Sequence, residues 1–222
     1  MRIGIVGSGG RFGSAAASYL ISKGLSVHGI HGRDFSKPFL DSVDFAILAV
    51  PISAAISIIE DCGDRGKVIE IGSVKRPFMK YKGEIISIHP LFGPLTMGND
   101  QFRDIIFVKD LSVARTEDII SAIFPDSHIR PMTADDHDRL MSDLLVKPYI
   151  LALLGREMGY SNHEVRTGSF AKFQSVANIA NSESPEVLMD TITLNPYSQE
   201  AITSASLALQ MIFDEQKKRR GS

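Results

Sequence analysis

The stretch Ile3-Gly4-Ile5-Val6-Gly7-Ser8-Gly9-Gly10-Arg11-Phe12-Gly13 decides how the rest of the chain is read. Ile3 to Val6 form a short apolar run of the length of a buried strand. The glycine cluster after it reads as a turn, and the small residues of 14–23, closed by Gly24, read as a helix. Strand, glycine-rich turn and helix in that order make a cradle for a pyrophosphate. Glycines allow the tight turn, let backbone N–H groups approach the phosphates, and let the helix pack closely on the strand. A Gly-x-Gly-x-x-Gly pattern begun at Gly7 would need glycine where Phe12 stands, so the pattern that fits is Gly7, Gly10, Gly13. This turn, with Ser8, Gly9, Arg11 and Phe12 between those glycines, is the expected dinucleotide-binding element.

Residues 25–30 read as the second strand, at whose tip an NAD-selective site usually carries a carboxylate for the ribose 2′-hydroxyl. Here the chain continues His31-Gly32-Arg33-Asp34. With no carboxylate at the tip, Gly32 and Arg33 are the expected contacts, and the planar fork of Arg33 suits a 2′-phosphate. The expected cofactor is therefore NADP, with NAD as the alternative in which Asp34 serves the ribose. His28 and His31 read as strand and loop fillers, since no Cys, His or carboxylate cluster surrounds them, and no metal is expected.

Residues 44–50, DFAILAV, read as a strand running out into Pro51. Ligands of open parallel sheets bind outside the carboxyl ends of the strands, so Val50 and Pro51 are expected to line the cofactor, with Ser53 capping a helix over 53–60. Residues 67–71 give another strand, followed by Gly72-Ser73-Val74-Lys75. Ser73 and Lys75 stand two residues apart, so both side chains could face one ligand with a hydroxyl and a positive charge. In the plainer reading Ser73 caps a helix and Lys75 is solvated.

In Glu84-Ile85-Ile86-Ser87-Ile88-His89-Pro90-Leu91-Phe92-Gly93-Pro94 an apolar strand delivers His89 to a turn. Pro90 has no N–H for the ladder and biases His89 towards extended backbone, so the strand should stop at His89. An imidazole among apolar groups, beside a glycine that lets another molecule approach, is a candidate base. The alternative is a histidine that finishes a strand and bonds a neighbouring loop.

Strands at 101–109 and 128–132 flank a helix at 117–124. From Thr133 the pattern turns helical: Asp135 and Asp136 favour a helix start, 140–158 is a long apolar-periodic segment with a kink expected at Pro148, and helices follow at 163–181, 185–194 and 198–216. The expected organisation is a dinucleotide-binding domain over 1–132 and a helical domain over 133–222, whose apolar faces need a bundle or a second copy of the chain to cover them.

The totals agree with a globular chain: 222 residues, 44% hydrophobic, 23% charged and a net charge of −2, which offers no broad attraction for nucleic acid. The basic run Lys217-Lys218-Arg219-Arg220 reads as a solvated tail, and the lone Cys62 excludes an internal disulfide. No apolar run approaches the roughly 20 residues that span a bilayer. With a strand at the very start, neither signal peptide nor membrane anchor is expected, and the expected location is the cytoplasm.

Taken together, Gly7 to Gly13, the Gly72-Ser73-Val74-Lys75 loop, His89-Pro90-Leu91-Phe92-Gly93-Pro94, and Asp136-His137-Asp138-Arg139 give a chain that resembles the prephenate dehydrogenase (TyrA) family over most of its length. The resemblance implies an α/β fold, a Rossmann-type doubly wound and mostly parallel sheet followed by an all-helical dimerisation domain. It implies an intertwined homodimer with its active site in the cleft beside the sheet, and oxidative decarboxylation of prephenate or arogenate with NAD(P). His89 matches the histidine that accepts the substrate hydroxyl proton, and Ser73 the serine that orients the substrate. Lys75, Lys147 and Tyr149 stand at or beside positions implied to contact substrate. Two positions depart from the family pattern. Tyr149 stands where a second substrate-contacting histidine is usual, and Asn178 stands near the usual carboxylate-gripping arginine. Arg139, Lys147, Arg166 and Lys172 are the candidates for the missing positive charge.

Overall fold

β1 (Arg2–Val6) is the pivot of the sheet: it pairs in parallel with β2 (Ser26–Ile30) on one side and β3 (Phe45–Leu48) on the other. In the computed structural model, which describes residues 1–94, 96–97, 103–161 and 163–221, these strands continue into β4 (Val68–Glu70), β5 (Ile86–Pro90), β6 (Asp104–Val108) and β7 (His128–Met132). Among the described residues the sheet order is β2-β1-β3-β4-β5-β6-β7. β1 to β5 run parallel, β6 runs antiparallel to β5, and β7 runs parallel to β6. This is the doubly wound, Rossmann-like α/β sheet expected. The inner strands are nearly continuous apolar runs because helices cover both faces, whereas the edge strands β2 and β7 carry exposed polar residues. Pro131 is tolerated because β7 is an edge.

The crossovers use α1 (Arg11–Ser22), α2 (Lys37–Asp41), α3 (Ile52–Asp61), a 3-10 segment over Arg76–Tyr81, and α4 (Thr116–Ile123). Ile3, Ile5, Leu20, Ile47, Ile69, Ile86, Ile88, Ile105 and Ile120 form the core between strands and helices. Each such side chain contributes about 1.5–3 kcal/mol on burial.

Local details depart from the sequence expectations for identifiable reasons. α1 begins at Arg11, because the last residues of the glycine turn already form its first turn. α3 begins at Ile52, so Ser53 lies inside the helix and Pro51, not Ser53, stands at its N-cap. α2 was not expected. It is fixed by the Ser36 side chain, which accepts from the Phe39 N–H at 3.4 Å, by Pro38 in its first turn, and by burial of Phe39 and Leu40. β5 continues one residue past His89: Leu91 N–H donates to the Asp104 carbonyl at 2.9 Å, so the alternate residue Pro90 turns its nitrogen to the side where β4 has already ended. Of the strand expected over 101–109, residues 101 and 102 lie outside the described residues.

The chain divides into two compact units, Met1–His137 and Asp138–Ser222, while the sequence pattern itself changes at Thr133. α5 (Ala134–Met141) opens in the first unit. In the second, a π-helical turn over Ser142–Val146 leads into α6 (Lys147–Met158), then α7 (Gly168–Ser182), α8 (Pro185–Leu194) and α9 (Ser198–Arg220). At Pro148, where a kink was expected, the helix changes register through this π-helical turn just before the proline. Pro148 has no N–H to give and its ring crowds the preceding turn, and a widened helical turn accommodates both effects. Gly155 lets α6 approach α7 closely, since a Cβ there would come within 2.9 Å of the Ala177 Cβ. Tyr149, Ala152, Ala180, Leu188 and Ile192 form this unit's core. Along α9 only Ser198 is buried, and Leu207, Met211, Ile212 and Phe213 stand exposed.

Candidate active site

Two groups of residues meet the carboxyl ends of the parallel strands. The first is the glycine turn. Gly7 has φ +91°, a conformation L side chains rarely adopt, and a Cβ there would lie 2.3 Å from the Ala49 carbonyl oxygen. A Cβ on Gly13 would lie 2.2 Å from the Gly7 carbonyl oxygen, so α1 can approach β1 only without a side chain there. Gly10 stands at the N-cap of α1 with no side-chain cap and no acidic residue in the first turn, so no capping side chain and no carboxylate of that turn competes with a phosphate at the helix start. Val50 joins the group: its Cγ1 lies 2.9 Å from where a Gly7 Cβ would be and 3.0 Å from where a Gly32 Cβ would be. Pro51 follows it, half-buried. Ser8 donates to the Ile30 carbonyl at 3.3 Å, and Gly9 and Arg11 are exposed. Phe12 packs against the sheet core. Arg33 stands 85% exposed at the tip beyond β2, 4.0 Å from Asp34. The His31 ring flanks the turn, with its Cε1 3.1 Å from where a Gly9 Cβ would be. Glycines whose Cβ would collide with backbone, an uncapped helix start and an exposed arginine at the second strand's tip together fit a dinucleotide.

The second group surrounds His89. Glu70 pairs with Ser87 across β4 and β5, so the loop Gly72-Ser73-Val74-Lys75 leaves β4 at the level where β5 reaches His89. Ser73 is half-buried in that loop. Lys75 was expected to offer its charge to a ligand, and the structure places it otherwise. Its side chain is fully buried, with Nζ 2.7 Å from Glu70 Oε1 and 2.8 Å from the Ile88 carbonyl. Glu70 also accepts from the Gly72 N–H at 2.8 Å and from the Ser87 hydroxyl. A carboxylate within an apolar strand requires such partners, and it draws the lysine inward. Lys75 is thus a brace between the loop and β5.

His89 is buried, and its Nδ1 lies 2.9 Å from Nε2 of His137, which is fully buried on α5. Burial, then His137, then the Lys75 charge hold the His89 pKa well below the usual imidazole value. Burial and then Lys75 do the same for His137. The result is a pair of neutral imidazoles, one of which stands at a strand end. The sequence marked His137 without a role. The signal was its place on the buried face of α5, in step with Ala134 and Met141. Glu70 was equally readable as a lone carboxylate inside an apolar run.

A third feature not anticipated from sequence is Arg103. Its guanidinium lies 4.7 Å from the ring centres of both Tyr19 and Phe92 and donates to the Met97 carbonyl and the Tyr19 hydroxyl, each at 2.6 Å. It fastens the residues after His89 to α1.

Lys147 and Tyr149 lie in the second unit. Lys147 is exposed and ion-paired with Asp143 one turn before it, and it lines a groove of about 470 Å³ with Arg139, Tyr197 and Glu200. Tyr149 packs into that unit's core, where burial pushes its phenol pKa up. Asn178 accepts from the Tyr160 hydroxyl and from Asn181 at 3.3 Å, and Arg139 lies 4.3 Å from the Tyr197 ring centre. Among the described residues no group of three or more His, Cys, Asp or Glu is placed to hold a metal ion, and no helix is long and apolar enough to cross a membrane.

No family model matches the chain, and no curated protein matches it by sequence. Solved structures do resemble it. Prephenate dehydrogenase from A. aeolicus, in complex with hydroxyphenyl propionate and NAD+, superposes with a TM-score of 0.69 at 17% identity, covering 100% of this chain and 92% of that one. Synechocystis arogenate dehydrogenase gives 0.62 at 17% identity, covering 97% and 90%. An imine reductase from Bacillus cereus gives 0.53 at 13% identity, covering 98% and 77%. At these identities the likeness establishes the fold: a Rossmann-like α/β sheet followed by a helical region, an architecture this chain has in common with prephenate and arogenate dehydrogenases.

Proposed function

We propose that this chain is an NAD(P)-dependent oxidoreductase that oxidises and decarboxylates prephenate, giving 4-hydroxyphenylpyruvate, or arogenate, giving tyrosine. The observation that carries the reading is His89, a buried neutral imidazole at the carboxyl end of β5 in the same sheet as the glycine turn. Bound along that turn, the nicotinamide cofactor supplies the acceptor for a hydride from the carbinol carbon. His89 takes the hydroxyl proton from the same carbon. The bond to the ring carboxylate then breaks, its electron pair enters the ring, and carbon dioxide leaves. Aromatisation drives the step, so the residues have to position the substrate and remove one proton, a base contribution of roughly 10²–10⁴-fold. Ser73, in the loop beside β5, orients the hydroxyl, while Lys75 and Glu70 hold that loop in place. Two of the solved structures that resemble the chain are a prephenate and an arogenate dehydrogenase, which supports this choice of substrates.

The helical half forms the homodimer contact, through exposed apolar residues of α9 such as Leu207 and Met211. A lone, buried Cys62 suits a reducing compartment, and the reading places the enzyme in the cytoplasm.

A second reading, an imine-type or related NADP-dependent reductase, is favoured by the imine reductase likeness and by Tyr149 and Asn178 at positions where charged contacts were expected. Purified protein with NAD or NADP and either prephenate or arogenate separates the two. Reduced nicotinamide and carbon dioxide in equal amounts support the first reading. No turnover of either acid, with oxidation of NADPH by a cyclic imine, supports the second.

A further inference from the structure

We infer that His137 is a positioning residue that sets the tautomer of His89, keeping the His89 proton on Nδ1 so that the lone pair for the substrate hydroxyl sits on Nε2. The inference rests on the proposed role of His89 as a base. Its footing is geometric. The two rings meet at 61° with centres 5.1 Å apart, and His89 Nδ1 lies 2.9 Å from His137 Nε2. One proton lies on that line. If His137 held it, His89 would carry its other proton on Nε2 and have no lone pair left for a substrate. If His89 holds it, Nε2 is the acceptor that proton removal requires.

Both rings are anchored independently of each other. His89 is held by the β5–β6 register opposite Ile106. His137 sits in the first turn of α5, where its N–H donates to the Thr133 carbonyl at 2.9 Å, the Asp136 N–H donates to the Thr133 hydroxyl at 3.1 Å, and the Ala134 N–H donates to Asp110 at 2.8 Å. The contact is thus a product of sheet register and helix capping, with no mobile side chain between. Behind it, the Lys75 ammonium is bonded to the carbonyl of Ile88, the residue before His89, and opposes a second positive charge on either ring. An imidazole without such a partner populates both neutral tautomers, and only one of them can take the proton.

The test reads the tautomer directly, in substrate-free protein. Nitrogen-15 NMR of the histidine rings, with the His89 signals assigned by their loss in His89→Asn, should show a protonated Nδ1 and a bare Nε2 in the wild type. In His137→Leu the His89 signals should move to a mixture of tautomers or to protonated Nε2. In the enzyme assay kcat should fall about 10- to 100-fold with KM changed much less. His137→Gln, whose amide oxygen reaches about as far as Nε2, should restore most of the rate and the Nδ1-protonated signal. Unchanged NADP-dependent thermal shifts would show that the variants fold. A protonated His89 Nε2 in the wild type, or an unchanged tautomer in a folded His137→Leu protein, overturns the inference. Since the NMR needs no substrate, a tautomer shift in a protein inactive on prephenate and arogenate would uphold the inference and remove the proposed reaction. Turnover with an unaltered tautomer would do the reverse.

Discussion

Lys75 Nζ lies 2.7 Å from Glu70 Oε1 with both side chains fully removed from solvent, so the positive charge of the Gly72-Ser73-Val74-Lys75 loop is spent inside the protein. Removing one partner of such a pair strands the other charge, which costs about 3–5 kcal/mol. Lys75→Met should lower stability by that order in urea titration, with NADP affinity of the remaining folded protein little changed. A variant of wild-type stability that only raises KM for the substrate would mean that the lysine faces the ligand instead.

Arg33 stands exposed beyond β2 with no carboxylate at the strand tip itself, and in the proposed NADP-dependent enzyme it is the group that would meet the 2′-phosphate. Losing a charge-assisted fork should weaken NADP binding about tenfold to hundredfold in Arg33→Ala and leave NAD nearly unaffected. Titrations showing equal weakening of both cofactors would reject the assignment.

The buried histidines give stability a defined slope with pH. In the folded chain the pKa values of His89 and His137 lie well below the ordinary value of 6.5, so the unfolded chain binds protons first as pH falls. More protons on the unfolded state means that stability rises with pH over that window. It should fall as pH drops below about 6.5, where the unfolded histidines protonate and the folded pair does not, and be indifferent to these groups above pH 7. Denaturant titrations across pH 5–7 check this, and His137→Gln should lose one histidine's share of the slope. A flat profile in the wild type would mean that the pair is not held neutral.

Much of the fold was legible because β1, β3, β4 and β5 are apolar runs bounded by glycine or proline, and α8 carries its Ser184 cap and Pro185 in sequence. The glycine turn and His89 were legible for the same reason: local chemistry marks them. What stayed hidden was non-local. Glu70 could be read five residues before Lys75 as a carboxylate needing a partner, but nothing near Lys75 in sequence announces the Ile88 carbonyl, and nothing near His89 announces His137, 48 residues further on. α2 was missed for a different cause. A helix over Lys37–Asp41 is too short for periodicity to show, and only its cap and proline mark it.

The proposed homodimer would use α9, where Leu207, Met211, Ile212 and Phe213 are exposed on a helix that buries only Ser198. Sedimentation should show a dimer at micromolar concentration, and Leu207→Asp combined with Met211→Asp should shift it to monomer. A wild-type protein that is monomeric at all concentrations and fully active would refute the dimer.

The most direct test is His89→Asn assayed with prephenate and with arogenate. Asparagine keeps a planar polar group at the strand end and cannot take the proton, so kcat should drop by roughly 10²-fold or more, the acidic limb of the pH profile should vanish, and cofactor affinity should change little. If the variant turned over either substrate at near wild-type rate, His89 would be only the end of a strand, and the proposed reaction would lose its base.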